Sequence, residues 1–534
     1  MQHPIPDNSI LYGTLRQVFG YDSFRPGQQE LVEALLAGQD ALGVMPTGAG
    51  KSLCFQLPAL LMEGITVVVS PLVSLMNDQV TALVAMGVRA AYFNQSLTPG
   101  QYQKALGLAM QGRYKIIYVA PERLNTPRFQ ALAQTVPIDM VVVDEAHCVS
   151  QWGMNFRPDY LAIADFIAGL PKRPVVAAFT ATATGRVRAD MVELLRLADP
   201  VQVTTGFDRP NLYFGVVKPR KKDDALLELL AEHGEESAIV YCATRKETER
   251  VAGLLTDRGI DARAYHAGME QEDRRRNQED FVFDRARVMV ATNAFGMGID
   301  KSNVRLVVHY NMPKDLESYY QEAGRAGRDG EAADCILLYA PRDVKLAEFL
   351  IEKSEPAPGL TEDQQAALLE NDREKLRQMT FYSTTSACLR GRVRRYFGEY
   401  APADCGYCSN CAPRAGLQAL ERQPDWEFEY DQEAERRAAA DRAAARRRTA
   451  AQQDGLPYDT DLYARLKELR GILARKQGVP AYVVFTDATL RAMCRMQPQD
   501  LAAMSRVPGV GESKLRRYGP DFLTEIHAWK TGQA

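Results

Sequence analysis

The sequence predicts an α/β protein with two parallel-sheet domains in succession, then a small helical domain carrying clustered cysteines, then a small all-α domain. Three observations predict it. From about Gln28 to Val203, short apolar runs (Ala41 to Met45, Thr66 to Ser70, Ile116 to Val119, Met140 to Val143, Val175 to Phe179) alternate with longer amphipathic segments, the pattern of a parallel sheet covered by helices. The pattern restarts after Pro210, with strands expected near Ser237 to Tyr241, Ala262 to Tyr265, Val288 to Ala291, Leu306 to His309 and Ala333 to Tyr339. Beyond Pro341 the strand signal stops.

The boundaries that follow are 1–208 and 209–343 for the two α/β domains, 344–414 for the cysteine-bearing helical domain, 415–457 for an Ala/Arg-rich linker and 458–534 for the last domain. A chain of 534 residues holds three or four such domains, each large enough for its own core. The linker is rich in Ala, Arg and Glu and has no sustained apolar stripe. From Thr460 to Trp529 apolar periodicity returns, enough for about five helices.

Composition excludes several classes. With 46% hydrophobic and 25% charged residues the chain is neither disordered nor fibrous. Its apolar runs fall far short of the ~20 residues of a membrane span, and Met1 to Gly13 has no signal-peptide pattern, so no membrane partner and a cytoplasmic location are expected. The net charge of −3 gives no support for a nucleic-acid partner, so any such contact must come from local basic patches. Nine cysteines without a signal sequence argue for packed thiols or a metal site and against a disulfide framework.

The segment from Met45 to Ser52 (Met-Pro-Thr-Gly-Ala-Gly-Lys-Ser) follows an apolar strand and precedes a helical pattern, the context a phosphate-binding loop requires. Thr47, Gly48 and Gly50 let backbone N–H groups close around phosphates, Lys51 supplies charge to the β and γ phosphates of ATP, and Ser52 can ligate Mg²⁺. Met45 stands where the strict pattern has Gly. The strand Met140 to Val143 ends in Asp144-Glu-Ala-His147: Asp144 is placed to hold Mg²⁺ and Glu145 to orient and deprotonate the attacking water. In the second α/β domain, Arg325 and Arg328 are three residues apart, on one face of a helical turn, where their planar forks can stabilise charge on the γ-phosphate.

Taken together these motifs resemble a superfamily 2 helicase with two RecA-like domains. The resemblance covers about Phe19 to Tyr339 and extends to Ser70 to Gln79, Ala120 to Leu124, Tyr241 to Arg245, Thr180 to Thr182 and Ala291 to Asp300. It implies a catalytic role for His147 and nucleotide contacts for Gly298 and Asp300.

Within that superfamily the chain is similar to the RecQ family. Phe19 to Gln28 resembles the segment by which those enzymes hold adenine, with Tyr21 stacking on the base and Arg25 and Gln28 as polar contacts. Ser150 to Tyr160 resembles their aromatic-rich loop for single-stranded DNA, which implies contacts from Trp152, Phe156 and Arg157. Met154 and Asn155 depart from the family's His-Asp pair. Cys388, Cys405, Cys408 and Cys411 give two overlapping C-x-x-C steps after a longer gap, suited to tetrahedral structural Zn²⁺. The spacing, and the basic helix with Arg390, Arg392, Arg394 and Arg395, resemble the RecQ zinc-binding domain and suggest phosphate contacts. Ala481 to Leu490 and Val507 to Gly519 resemble the HRDC domain, a helical module for single-stranded DNA, with Tyr482, Lys514, Arg516 and Arg517 as candidate contacts.

The resemblance implies an ATP-dependent 3′ to 5′ DNA helicase acting in recombination, replication-fork rescue and repair. Expected partners are single-stranded and tailed or forked duplex DNA and a single-stranded-DNA-binding protein, with the chain a monomer. The stretch between Cys411 and the last domain is too short for the family's winged helix. An ATP-gated single-stranded-DNA translocase or annealing protein is therefore the alternative; an RNA helicase of the DEAH type leaves the cysteines and the last domain unexplained.

Overall fold

A computed structural model describes residues 7–153, 156–295, 301–353, 361–421 and 458–531. The described residues divide into two compact units: one gathers residues up to Phe207 with those from Pro498 onward, the other those between Asp208 and Gln497.

In the first unit, seven strands form one sheet: β1 (Ala41–Val44), β2 (Ile65–Val69), β3 (Ala90–Phe93), β4 (Ile116–Val119), β5 (Ile138–Val143), β6 (Val175–Thr180) and β7 (Val201–Thr204), in the order β3-β4-β2-β5-β6-β1-β7. Every pairing is parallel. Helices cover the faces, so the central strands are buried throughout, and side chains such as Phe179 and Phe55 pack at 5.6 Å between ring centroids. The sheet carries two strands the sequence pattern does not announce. β3 is Ala-Ala-Tyr-Phe, without a β-branched residue, and β7 is an edge strand whose side chains alternate between burial and exposure.

In the second unit, β8 (Leu212–Val217), β9 (Ser237–Tyr241), β10 (Ala262–Tyr265), β11 (Val288–Ala291), β12 (Val304–His309) and β13 (Ala333–Leu338) form a six-stranded sheet, order β10-β11-β9-β12-β13-β8, again all parallel. β8 was not expected, because Gly215 interrupts its apolar run. That glycine is needed: a Cβ there would lie 2.8 Å from Ile336 and 3.3 Å from Leu417.

An edge strand leaves backbone donors and acceptors unpaired. The cysteine-bearing region covers this one. Ser409 N donates to Phe214 O at 2.9 Å and the Ser409 hydroxyl accepts from Val216 N at 3.2 Å. Arg390 donates to Leu212 O at 2.9 Å, and Arg414 lies 3.6 Å over the Tyr213 ring while pairing with Asp334 at 2.8 Å. The helix Ala415–Ala419 then packs Leu417 against the sheet. In the basic helix Leu389–Tyr396, Arg390 is buried, Arg392 and Arg394 are half-buried and donate to Gln378 and to Glu399 and Asp208, and Arg395 is exposed and donates to the Ala401 carbonyl.

The last region forms five helices, Thr460–Gln477, Ala481–Val484, Asp487–Met496, Leu501–Met504 and Glu512–Lys530. The first three belong with the second unit and the last two with the first. In the first unit, Gly509 N donates to Gly20 O at 2.5 Å and the Ser513 hydroxyl to Ala85 O at 3.1 Å. Gly20 has φ +75°, and a Cβ there would strike Val510 N at 2.5 Å, so backbone meets backbone directly. The residues 422–457 of the expected linker lie outside the described residues.

Lys222 and Asp343 form an ion pair of 2.7 Å with side chains only 2% and 1% exposed, and Asp343 also accepts from Asn311 at 3.2 Å. Lys222→Ala leaves a buried carboxylate without its cation and is expected to destabilise the second unit by about 3–5 kcal/mol, measured by denaturant unfolding; an unchanged midpoint contradicts the burial of this pair.

Candidate nucleotide site and cysteine cluster

Parallel strands deliver their C-terminal ends to one sheet edge, and in the first unit four such ends carry the candidate residues. After β1 the chain turns through Gly48 (φ +86°) and Gly50 (φ +83°), a left-handed conformation that glycine adopts without strain, and enters the helix Lys51–Leu61. Thr47, Gly48, Gly50 and Ser52 all belong to this turn or the first helical turn, and a helix N-terminus favours an anion. Lys51 is half-buried and its ammonium donates to Met45 O at 3.0 Å.

The segment expected to hold adenine lies against this loop. Arg25 donates to Gly48 O at 2.5 Å. Gln28, 2% exposed, donates to Ala49 O at 3.0 Å and Gly50 O at 3.1 Å, while its carbonyl accepts from Arg25 N at 2.8 Å. Both ends of the Gln28 amide are thus engaged with protein backbone. Tyr21 is exposed and has a ring face available for stacking.

β5 ends in the acidic pair. Asp144 accepts from the Ser70 hydroxyl at 3.4 Å and from Glu145 N at 3.0 Å. Burial first, then the neighbouring Glu145 charge, push its carboxyl up to about 7. Glu145 has φ +47°, a strained conformation for a residue with a side chain. It faces His147 at 3.4 Å, and His147 Nδ1 lies 2.7 Å from the Thr180 hydroxyl, which itself donates to Thr182 O at 3.1 Å. A polar chain therefore runs from Glu145 through His147 to the end of β6.

The aromatic loop is fastened to the same chain. A Cβ on Gly153 would lie 2.2 Å from the His147 carbonyl oxygen, so only glycine allows this approach. Trp152 N donates to the Ser150 hydroxyl at 3.1 Å, and Ser150 donates to Asp190 at 2.5 Å. Arg186 lies 3.5 Å over the Trp152 ring, a contact the sequence reading missed although Gly185-Arg186 directly follows Thr184. Phe156 is half-buried, and Arg157 donates to Pro71 O at 3.1 Å, which ties the loop to the end of β2. Met154 and Asn155 lie outside the described residues.

In the second unit, the helix Leu316–Ala323 stops before the arginine pair, so Arg325 and Arg328 sit in the tight turn that follows it and not on a helical face. Gly327, at φ +54°, closes that turn. Arg325 is buried beside the Tyr241 hydroxyl, and Arg328 is half-buried. A cavity of about 260 Å³ opens at the strand ends of this sheet, lined by Tyr241, Asn293, Asn311 and the helix Pro341–Glu352, a feature no motif announced. Gly298 and Asp300 lie outside the described residues.

Cys388, Cys405, Cys408 and Cys411 come together with all four sulfurs within 4.8 Å of one another. Tetrahedral thiolates at about 2.3 Å from Zn²⁺ stand roughly 3.8 Å apart, so the set fits the ion. Gly391 N donates to Cys388 Sγ at 3.2 Å and Tyr407 N to Cys405 Sγ at 3.4 Å. The other cysteines (Cys54, Cys148, Cys242, Cys335, Cys494) are separate buried thiols. In the last region Tyr482 and Lys514 are half-buried, and burial lowers the Lys514 ammonium to about 8; Arg516 is exposed and pairs with Glu512 at 2.6 Å.

Comparison with known proteins places these features. Sequence models match as DEAD/DEAH box helicase over residues 25–191, helicase conserved C-terminal domain over 221–330, RecQ zinc-binding over 341–412 and HRDC domain over 459–526. The ATP-dependent DNA helicase RecQ of Bacillus subtilis is 38% identical over 587 aligned residues, covering 96% of this chain and 98% of the relative. That of Pasteurella multocida is 36% identical over 99% and 95%. The first alignment is longer than the chain's 534 residues, so the relative contains residues without counterpart here. Among solved structures, Saccharomyces cerevisiae Dbp5 bound to RNA superposes with a TM-score of 0.52 at 19% identity, covering 68% of this chain and 97% of that one, a likeness of fold alone. Four matched regions in one order and near-complete coverage by these relatives lead to one conclusion: the chain belongs to the RecQ family of helicases.

Proposed function

We propose that the protein is an ATP-dependent DNA helicase that translocates 3′ to 5′ along single-stranded DNA and separates the duplex ahead of it, in recombination, replication-fork rescue and repair. The observation that carries this reading is the continuous link in the first unit from Glu145 through His147 to the Gly153-Trp152 loop, which joins the hydrolytic carboxylate to the aromatic contact for DNA.

The chemistry follows from the chain's own residues. The loop amides and Lys51 hold the phosphates, Tyr21 stacks on adenine, and Glu145 accepts the proton of the water that attacks the γ-phosphorus, with His147 fixing the carboxylate. Arg325 and Arg328 supply positive charge to the γ-phosphate oxygens as the bond to the leaving ADP breaks. Ser52 and Asp144 would hold Mg²⁺, which would supply positive charge to the phosphates. A carboxyl raised by burial gains from a cation beside it, and Asp144 has that property. The four cysteines hold Zn²⁺ as a structural ion.

DNA contacts are assigned to Trp152, Arg186 and Phe156, with Tyr482 and Lys514 in the last region. The reading includes a monomer, a cytoplasmic location and a single-stranded-DNA-binding protein as partner; among the described residues no helix is long and apolar enough to cross a membrane. Nothing in the reading requires a winged helix.

The deciding experiment measures strand separation of a duplex with a 3′ tail alongside ATP hydrolysis on the same DNA, with Lys51→Ala as the control that loses hydrolysis and keeps DNA binding. Separated strands support the helicase; hydrolysis on an intact duplex supports the translocase or annealing alternative. Arg186→Ala and Trp152→Ala are each expected to reduce DNA stimulation of ATPase with little change in the DNA-free rate; full stimulation in both defeats the coupling role of this loop. Cys408→Ser is expected to release zinc and lower the melting temperature, read by metal analysis and calorimetry; a zinc-free native protein contradicts the metal assignment.

A further inference from the structure

The turn that carries Arg325 and Arg328 is built almost wholly from backbone, and its shape is set by side chains that cap its carbonyls. Arg209 donates to Gly324 O at 3.4 Å, Ala326 O at 3.1 Å and Gly327 O at 2.9 Å. Asn211 donates to Gly327 O and Glu331 O, both at 2.8 Å. Gly327 N is bonded to Val304 O at 2.9 Å, and a Cβ at Gly327 would lie 2.4 Å from the Asn211 amide. Arg305 forms an ion pair with the Asp329 carboxylate, which also accepts from Glu331 N at 3.2 Å.

One cap comes from far along the sequence. Arg491, on the helix Asp487–Met496 of the HRDC region and 3% exposed, donates to Asp329 O at 3.1 Å and pairs with the Glu331 carboxylate at 3.0 Å. The helix is itself anchored within the HRDC region: Arg470 pairs with Asp487 at 2.6 Å and donates to Phe485 O at 3.0 Å. One hydrogen bond to a carbonyl and one ion pair to a carboxylate hold this buried guanidinium, and its rigid plane ties the two contacts together.

We infer that Arg491 is a positioning residue for ATP hydrolysis: by capping the Asp329 carbonyl and pairing with Glu331 it fixes the turn from which Arg325 and Arg328 act, so the HRDC region tunes the hydrolytic step itself, apart from any grip on DNA. The inference rests on the assignment of that arginine pair to the γ-phosphate. Transition-state charge is stabilised only by donors already in place, and sub-ångström displacement of a positioned cation reduces kcat more than it alters KM. Arg491 makes none of the contacts a DNA strand would need, since its guanidinium is enclosed by protein.

The test uses the full-length protein at saturating single-stranded DNA. Arg491→Gln is expected to lower kcat for ATP about tenfold or more, with KM for ATP and the Kd for DNA each within about twofold of the parent. Arg491→Lys, which keeps the charge and loses the fork, should recover part of kcat. Arg495→Ala, an exposed change on the same helix, should leave kcat unchanged. Glu331→Gln removes the partner charge from the opposite side and should reproduce the kcat defect, which keeps the test decisive if Arg491→Gln folds poorly by calorimetry. Arg325→Ala and Arg328→Ala are measured in parallel. If those two retain kcat, the underlying assignment of the arginine pair falls and the inference with it. If they lose kcat while Arg491→Gln and Glu331→Gln retain it, or change only the Kd for DNA, the positioning role of Arg491 is overturned and the assignment stands.

Discussion

All-parallel pairing is the constraint on which everything else depends. Because β1, β2, β5 and β6 run the same way in adjacent register, Val44 beside Thr180 and Val69 beside Val143, the segments that follow them must emerge at one edge. The phosphate loop, Ser70, the acidic pair and Thr180 become neighbours, and the Ser70–Asp144 and His147–Thr180 hydrogen bonds then join them. The hydrophobic strands thereby keep polar groups at positions they could not hold alone, including an Asp144 carboxyl that burial raises to about 7.

The same sheet edge joins the acidic pair after β5 to the aromatic loop around Trp152. Glu145 is strained at φ +47°, and its neighbours over-determine it: His147 on one side, Asp144 on the other, Tyr160 donating to the Asp144 carbonyl at 2.9 Å. His147 lies beside the Glu145 carboxylate and, through its carbonyl, against Gly153 next to Trp152. A Cβ added at Gly153 would meet the His147 carbonyl oxygen at 2.2 Å, so this position has no room for a side chain.

In the second unit the equivalent burden falls on arginine. Arg390, Arg414, Arg209, Arg305 and Arg491 all point inward, where each neutralises a buried carboxylate or caps several carbonyls. The net charge of −3 reflects 65 Lys and Arg against 68 Asp and Glu and does not report where the arginines lie. The zinc region follows the same logic: it covers the β8 edge with hydrogen bonds, and its cysteines converge where that cover is anchored, Cys408 pairing with Phe214.

The sequence by itself determined the fold class, the phosphate loop, the acidic pair and the zinc cysteines, because each is local: strand periodicity, glycines before a lysine, carboxylates at a strand end, and thiols three residues apart all lie within one short window. It missed β3, β7 and β8, whose residues lack the β-branched or uninterrupted apolar pattern and become strands only by pairing with neighbours. It also placed Arg325 and Arg328 on a helix, since spacing cannot reveal that Arg209, Asn211 and Arg491 would out-compete helical hydrogen bonds for the carbonyls of that turn. Only the tertiary structure decided which arginines are free for a ligand and which are structural, because a guanidinium's role depends on the acceptors around it, and those come from residues as distant as 329 and 491.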